Sequence, residues 1–273
     1  MVERLPLGCL GNKKRECKKY FLDIIKNNID DDDIFVEPFC GSASVSYLVY
    51  TNTNIKKFHI NDLDKLRIDF YSNMKNEDKR NELYKIENDI LEKGSEEYYR
   101  YVDKTKLKTD YWSYIIGHRI FSFRYGLFPT NKNVIIKPIP DKWIEFFITS
   151  KITNKDWKEI MEEYKDNEKA FIYLDPPYLS SFNGSYIKFD STIDENNNLV
   201  DNTKIYIDIL DYLKKCKCKI LFSINSNSIT RHIYKDYIQQ DYLKNYDTAN
   251  IRKKENDKDY SKNKENILLI SNF

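Results

Sequence analysis

The sequence predicts an α/β fold built on a parallel sheet, and three observations lead there. Short runs of strand-forming residues, Ile34-Phe35-Val36, Phe171-Ile172-Tyr173-Leu174 and Ile220-Leu221-Phe222, alternate with longer segments of helical period. The second run delivers a carboxylate, Asp175, to a strand end where Pro176 and Pro177 stop the ladder, and the carboxyl edge of a parallel sheet is where such folds open their ligand crevice. The chain has 273 residues, of which 41% are hydrophobic, enough to fill one large core or a core domain carrying an insertion.

The stretch from Phe171 to Tyr178 organises the rest, and its residue types suit one kind of chemistry. The exocyclic amine of a nucleobase is a poor nucleophile because its lone pair is delocalised into the ring. Groups that accept hydrogen bonds from that NH₂ draw the nitrogen toward a tetrahedral shape. Asp175 supplies a carboxylate, and the Pro176-Pro177 backbone supplies a carbonyl that is pre-aimed because proline fixes φ and brings no competing N–H. Tyr178 offers a flat ring on which an extruded base can stack, worth roughly 1–3 kcal/mol. Asp175-Pro176-Pro177-Tyr178 therefore reads as the catalytic segment of an amine methyltransferase; the plainer alternative is a strand that ends in a proline turn beside one more packed aromatic.

Composition narrows the partners. Lys+Arg at 45 against Asp+Glu at 43 leaves a net charge of +2, so the whole-chain field does not announce a nucleic acid and any phosphate footprint has to be local. The 5 cysteines, Cys9, Cys17, Cys40, Cys216 and Cys218, are scattered and odd in number, which predicts reduced thiols. Cys216 and Cys218 have no matching Cys/His pair elsewhere, so no metal site is expected. No apolar run approaches the ~20 residues of a membrane span, and the N-terminus lacks a signal pattern; an intracellular, soluble protein is the expectation.

Taken in order, residues 6–15 form a glycine-containing loop that runs into an amphipathic helical segment, Lys18 to Ile25. Leu10, Gly11 and Lys13 would there bring backbone and charge close to a ligand or base edge, and a basic arm capped by a helix fits the same residues. Ile34 to Val45 reads as a buried strand, a small-residue turn and a helix beginning near Ser42 with Val45, Leu48 and Val49 on one face. Glu37, Pro38, Phe39, Gly41, Ser42 and Ala43 make up that strand end and turn, where a cofactor can lie against bare backbone in front of a helix N-terminus. His59 to Asp64 reads as a second short strand ending in acids, with Asp62 the candidate for ribose hydroxyls and Asp64 the N-cap of a helix from Lys65 to Met74.

From Asn76 to about Lys169 the pattern becomes charged and helical, which predicts an insertion between a cofactor half and a catalytic half. Within it, basic and aromatic residues interleave from Arg119 to Lys132. Arg119, Arg124, Asn131 and Lys132 are the candidates for contact with DNA; an aromatic core segment with snorkelling arginines is the other reading. Beyond the catalytic strand, Leu179 to Leu199 is a polar loop long enough to act as a lid. Asn202 to Lys215 reads as an amphipathic helix, Lys219 to Ser226 as a buried strand, Arg231 to Tyr246 as another helix, Arg252 to Lys264 as a charged loop, and Glu265 to Phe273 as a closing strand.

Gly11-Asn12-Lys13, Val36-Glu37-Pro38-Phe39-Cys40-Gly41-Ser42, Asn61-Asp62, Asp175-Pro176-Pro177-Tyr178 and Leu268 to Phe273, in that order, resemble the Dam-type (D12 class) DNA adenine N6-methyltransferases over nearly the whole chain. Ala43 stands where that family commonly has a second glycine. The resemblance implies a Rossmann-like, S-adenosylmethionine-dependent methyltransferase sheet with a helical target-recognition insertion, double-stranded DNA as partner, and S-adenosylhomocysteine as product. It implies that Phe39 and Gly41 line the cofactor, that Asp62 holds its ribose, that Lys13 belongs to the loop beside cofactor and active site, and that Asp175 to Tyr178 grip the adenine amine. The domain expectation is residues 1–74 as the cofactor half, 75–168 as the insertion and 169–273 as the catalytic half. An RNA methyltransferase and a non-catalytic DNA-binding subunit stay open as alternatives, as do a dimer and a restriction partner.

Overall fold

A computed structural model of the chain describes residues 5–7, 12–120, 138–177, 203–245 and 264–273. Leu10, Gly11, Tyr178, Arg124, Asn131 and Lys132, the loop 179–199 and nearly all of the charged stretch 252–264 lie outside the described residues. The chain divides into two compact units, Met1–Glu162 and Glu163–Phe273. Both alternate strands with helices in the Rossmann-like α/β manner expected.

In the first unit, β1 (Ile34–Glu37), β2 (Lys57–Asn61) and β3 (Lys151–Thr153) run parallel in the order β3-β2-β1. On the inner strand β2, Phe58, His59, Ile60 and Asn61 are all buried, as expected of a parallel strand covered on both faces. A short helix α1 (Lys14–Glu16), a π-helical turn (Cys17–Phe21) and α2 (Leu22–Asn27) follow one another and bury Cys17, Phe21, Leu22 and Ile25. They pack against α3 (Ser44–Asn52). Asp64 caps α4 (Lys65–Asn73), its carboxylate accepting from the Arg67 N–H at 3.2 Å.

The long α5 (Glu77–Lys93), α6 (Ser95–Tyr101) and α7 (Tyr111–Ile120) come next, followed by α8 (Asp141–Thr149) and α9 (Trp157–Tyr164). The core of this unit is aromatic. Tyr47 of α3 stacks on Trp143 of α8 with ring centroids 3.7 Å apart and planes 8° apart, and Tyr71 of α4 stacks on Phe147 at 4.9 Å. β3 was not foreseen: it lies inside the stretch expected to be an insertion, and its side of β2 pairs His59 with Lys151 and Asn61 with Thr153. Three residues without an apolar run give no strand signal.

The second unit contains β4 (Ala170–Leu174), α10 (Thr203–Lys215), β5 (Lys219–Asn225), α11 (Ser228–Ile233), β6 (Ile238–Asn245) and β7 (Lys264–Ser271). The strand order is β4-β5-β7-β6; β4 and β5 are parallel, and β7 is antiparallel to both its neighbours. On α10, Tyr206, Ile209 and Leu213 repeat at helical spacing and are buried, with the Tyr206 ring 6.0 Å from that of Phe222 on β5. The expectation of a helix from Arg231 to Tyr246 is corrected. α11 stops at Ile233, and the chain turns through Tyr234 to Tyr237 and continues as β6 along β7. Pairing with an available strand edge overrides a weak local helical pattern. Among the described residues no helix is long and apolar enough to cross a membrane, and no group of His, Cys, Asp or Glu is arranged to hold a metal ion.

Candidate active site

In the first unit the expected cofactor turn sits at the end of β1. Gly41 and Ala43 both adopt left-handed backbone, with φ of 47° and 52°, so the chain turns sharply before α3 begins. Ala43 occupies the N-cap position and has no side chain able to cap the helix. Glu37 does that work from the strand: its carboxylate accepts from the Ser46 N–H at 3.0 Å and from the Ser46 hydroxyl, next to the positive end of the α3 dipole. Glu37, Ser42 and Ala43 are almost wholly buried. Glu37, expected to touch the cofactor, is thus built into the support of the turn.

Asp62 follows β2 and reaches back to this turn. One carboxylate oxygen accepts from the Gly41 N–H at 2.7 Å and the other from the Asp64 N–H at 2.9 Å. Burial raises the Asp62 carboxyl above its ordinary pKa, while Arg67 and the two backbone donors pull the other way. The Gly41 carbonyl accepts from the Tyr71 hydroxyl at 2.7 Å. Asn61 completes the frame: its amide donates to the carbonyls of Pro38 and Lys155 at 3.0 and 2.9 Å, and its carbonyl oxygen accepts from the Thr153 hydroxyl and the Lys155 N–H. Phe39 remains half-exposed, its ring 5.6 Å from that of Trp157. Lys13, expected at a ligand or base edge, is 4% exposed at the start of α1. The turn therefore brings Gly41 and Asp62 together by a hydrogen bond, with Phe39 and Ala43 in the same segment.

In the second unit, Asp175 follows directly on β4 and is half-buried, as is Pro177, while Pro176 is buried. The Ser223 hydroxyl donates to the Asp175 carboxylate at 3.1 Å, and the Tyr173 hydroxyl lies 2.9 Å from the Ser223 oxygen. The Tyr206 hydroxyl donates to the Pro177 carbonyl at 2.5 Å, and the Tyr234 hydroxyl donates to the Tyr206 carbonyl at 2.6 Å. Sequence reasoning did not single out Ser223, Tyr206 or Tyr71, and it quoted Tyr173 and Asn61 only as parts of longer stretches. A small polar residue inside the buried strand Lys219 to Ser226 was the available signal for Ser223.

Arg119 was expected on a DNA face and is found elsewhere. It is 8% exposed, its guanidinium grips both carboxylate oxygens of Glu87 on α5, and it donates to the Pro6 carbonyl at 2.7 Å. A guanidinium held in this way inside the first unit is a structural ion pair, which removes Arg119 from the candidate phosphate contacts.

The model of the family described as D12 class N6 adenine-specific DNA methyltransferase matches residues 11–126 and 117–255. No curated protein matches the chain.

Proposed function

Because the chain belongs to the D12 class of N6 adenine-specific DNA methyltransferases, we propose that it moves a methyl group from S-adenosylmethionine to the N6 amine of adenine in a short target within double-stranded DNA. The donor would lie on the turn from Phe39 to Ala43, with Asp62 accepting from its ribose hydroxyls, and would supply an electrophilic methyl on a sulfonium sulfur. The target adenine swings out of the duplex at a cost of about a few kcal/mol and stacks on Tyr178. Asp175 and one proline carbonyl accept from the N6 amine and localise its lone pair. Tyr206 already engages the carbonyl of Pro177, and a carbonyl oxygen has two lone pairs, so either proline carbonyl can serve as the second acceptor. N6 attacks the methyl in line, the carbon–sulfur electrons pass to sulfur, and the nitrogen sheds a proton. Positioning and fixed electrostatics supply the acceleration.

The observation that carries this reading is Asp175 at the tip of β4, half-buried, with Pro177 behind it held by a tyrosine hydroxyl. The test is incubation of the protein with methyl-labelled S-adenosylmethionine and, separately, duplex DNA free of N6-methyladenine, RNA and peptide. Label in adenine of the duplex alone, abolished in Asp175→Ala, is the expected result. Label in RNA or peptide instead, no label at all, or an Asp175→Ala variant as active as the wild type overturns it.

A further inference from the structure

We propose that Ser223 is a positioning residue for the methyl transfer, aiming the Asp175 carboxylate, with Tyr173 setting the Ser223 hydroxyl in turn. The proposal rests on the reading of Asp175 as the group that receives the adenine amine.

The register of the sheet creates the contact. β4 and β5 are parallel, with Tyr173 opposite Leu221 and Leu174 opposite Phe222. The next position along brings Asp175 to Ser223, and the two-residue side-chain period puts Tyr173 and Asp175 on one face of the strand. Ser223 and Tyr173 are fully buried, so water has no access to replace either hydroxyl. Serine has one hydroxyl proton. That proton goes to the Asp175 carboxylate at 3.1 Å, so the 2.9 Å contact with Tyr173 is one in which tyrosine donates and serine accepts. The chain of donors therefore has a direction, from Tyr173 through Ser223 to Asp175.

This direction matters because the terminal torsion of an aspartate is broad, and the carboxylate plane is not set by rotamer preference alone. A buried donor on the neighbouring strand fixes it. The amine of adenine is activated only if an acceptor lies along its N–H, and displacements of about 1 Å in such geometry reduce rates by ~100-fold. A serine that merely satisfied its own hydroxyl would affect stability and nothing else. One that aims Asp175 affects turnover and leaves binding of both substrates intact.

The experiment compares Ser223→Ala, Ser223→Thr, Tyr173→Phe and the double variant Ser223→Ala/Tyr173→Phe in the full chain, with labelled S-adenosylmethionine and unmethylated genomic duplex as substrates and Asp175→Ala alongside. Expected are a kcat lowered roughly ten- to hundredfold in Ser223→Ala, with KM for both substrates within about twofold. Ser223→Thr, which keeps the hydroxyl, recovers most of the rate. Tyr173→Phe shows a smaller loss, and the double variant is no slower than Ser223→Ala, as expected of a tyrosine that acts on the rate through the serine. If Ser223→Ala fails to fold, Ser223→Cys, nearly isosteric with a weaker donor, takes its place. A kcat within about twofold of wild type, a threonine variant as slow as alanine, or additive losses in the double variant overturns the proposal. An active Asp175→Ala would instead overturn the role of Asp175 itself, so the two failures are told apart.

Discussion

The Tyr206 hydroxyl on α10 donates to the Pro177 carbonyl at 2.5 Å, so a helix packed on the sheet holds the turn that follows Asp175. Tyr206→Phe keeps the buried ring against Phe222 and removes this bond. The expected cost in stability is about 0.5–1.5 kcal/mol, the net worth of one hydrogen bond. Because the released carbonyl belongs to the catalytic segment, methyl transfer should slow by more than the folded fraction falls; denaturant titration beside single-turnover kinetics checks both.

Ala43 adopts a φ of 52° at a position where its side chain caps nothing. Left-handed backbone costs an L-residue about 1–2 kcal/mol, and glycine gives back part of the gain through its freer unfolded chain. Ala43→Gly should therefore raise stability by about 0.5–1 kcal/mol, visible as a higher Tm. The turn before α3 should keep its affinity for S-adenosylmethionine, measured by calorimetry.

Arg119 and Glu87 form a buried pair, and removing one partner leaves a charge with nothing to balance it. Arg119→Met should destabilise the chain by about 3–5 kcal/mol, whereas Arg119→Met with Glu87→Leu should recover most of the loss. DNA affinity measured on the folded double variant should stay near that of the wild type. A phosphate-binding arginine would behave in the opposite way.

His118 stacks on Tyr114 with centroids 4.2 Å apart, and its Nδ1–H donates to the Tyr114 carbonyl at 2.8 Å. Burial lowers its pKa and Arg67 lowers it further, against the opposing pull of the Tyr114 carbonyl and Asp64. The folded chain therefore protonates His118 at a lower pH than the unfolded chain, which does so at about 6.5. A depressed folded pKa contributes stability that is present above the unfolded value and lost as pH falls below it. Denaturant midpoints from pH 7.5 to 5 should fall more steeply for the wild type than for His118→Gln, with the difference in slope no greater than about 1.4 kcal/mol per pH unit.

What the sequence disclosed was whatever had a local signature. The strands β1, β4, β5 and β7 announced themselves as apolar runs, β2 as a short strand ending in acids, and Asp64 as a cap before a helical period. β6 did not, because its inward positions are Ile238, Gln240, Tyr242 and Lys244: the two-residue period is present, but polar side chains fill half of it. Arg119 misled for a related reason. An arginine among aromatics looks the same whether it faces phosphate or a glutamate 32 residues earlier on another helix. The supports of the site were illegible for the plainest reason: Ser223 and Tyr206 matter through partners 48 and 29 residues away along the chain. Nothing in the neighbourhood of such a residue records a contact made at that range.

The placement of β7 between β5 and β6 carries a consequence for biosynthesis. On the ribosome, β4 and β5 emerge early, yet the edge of β5 stays unpaired until Lys264 to Ser271 has been made and can slot in beside it. Any messenger truncated ahead of that codon stretch would yield a polypeptide with a sticky open ladder, prone to clump before a methyl group is ever moved.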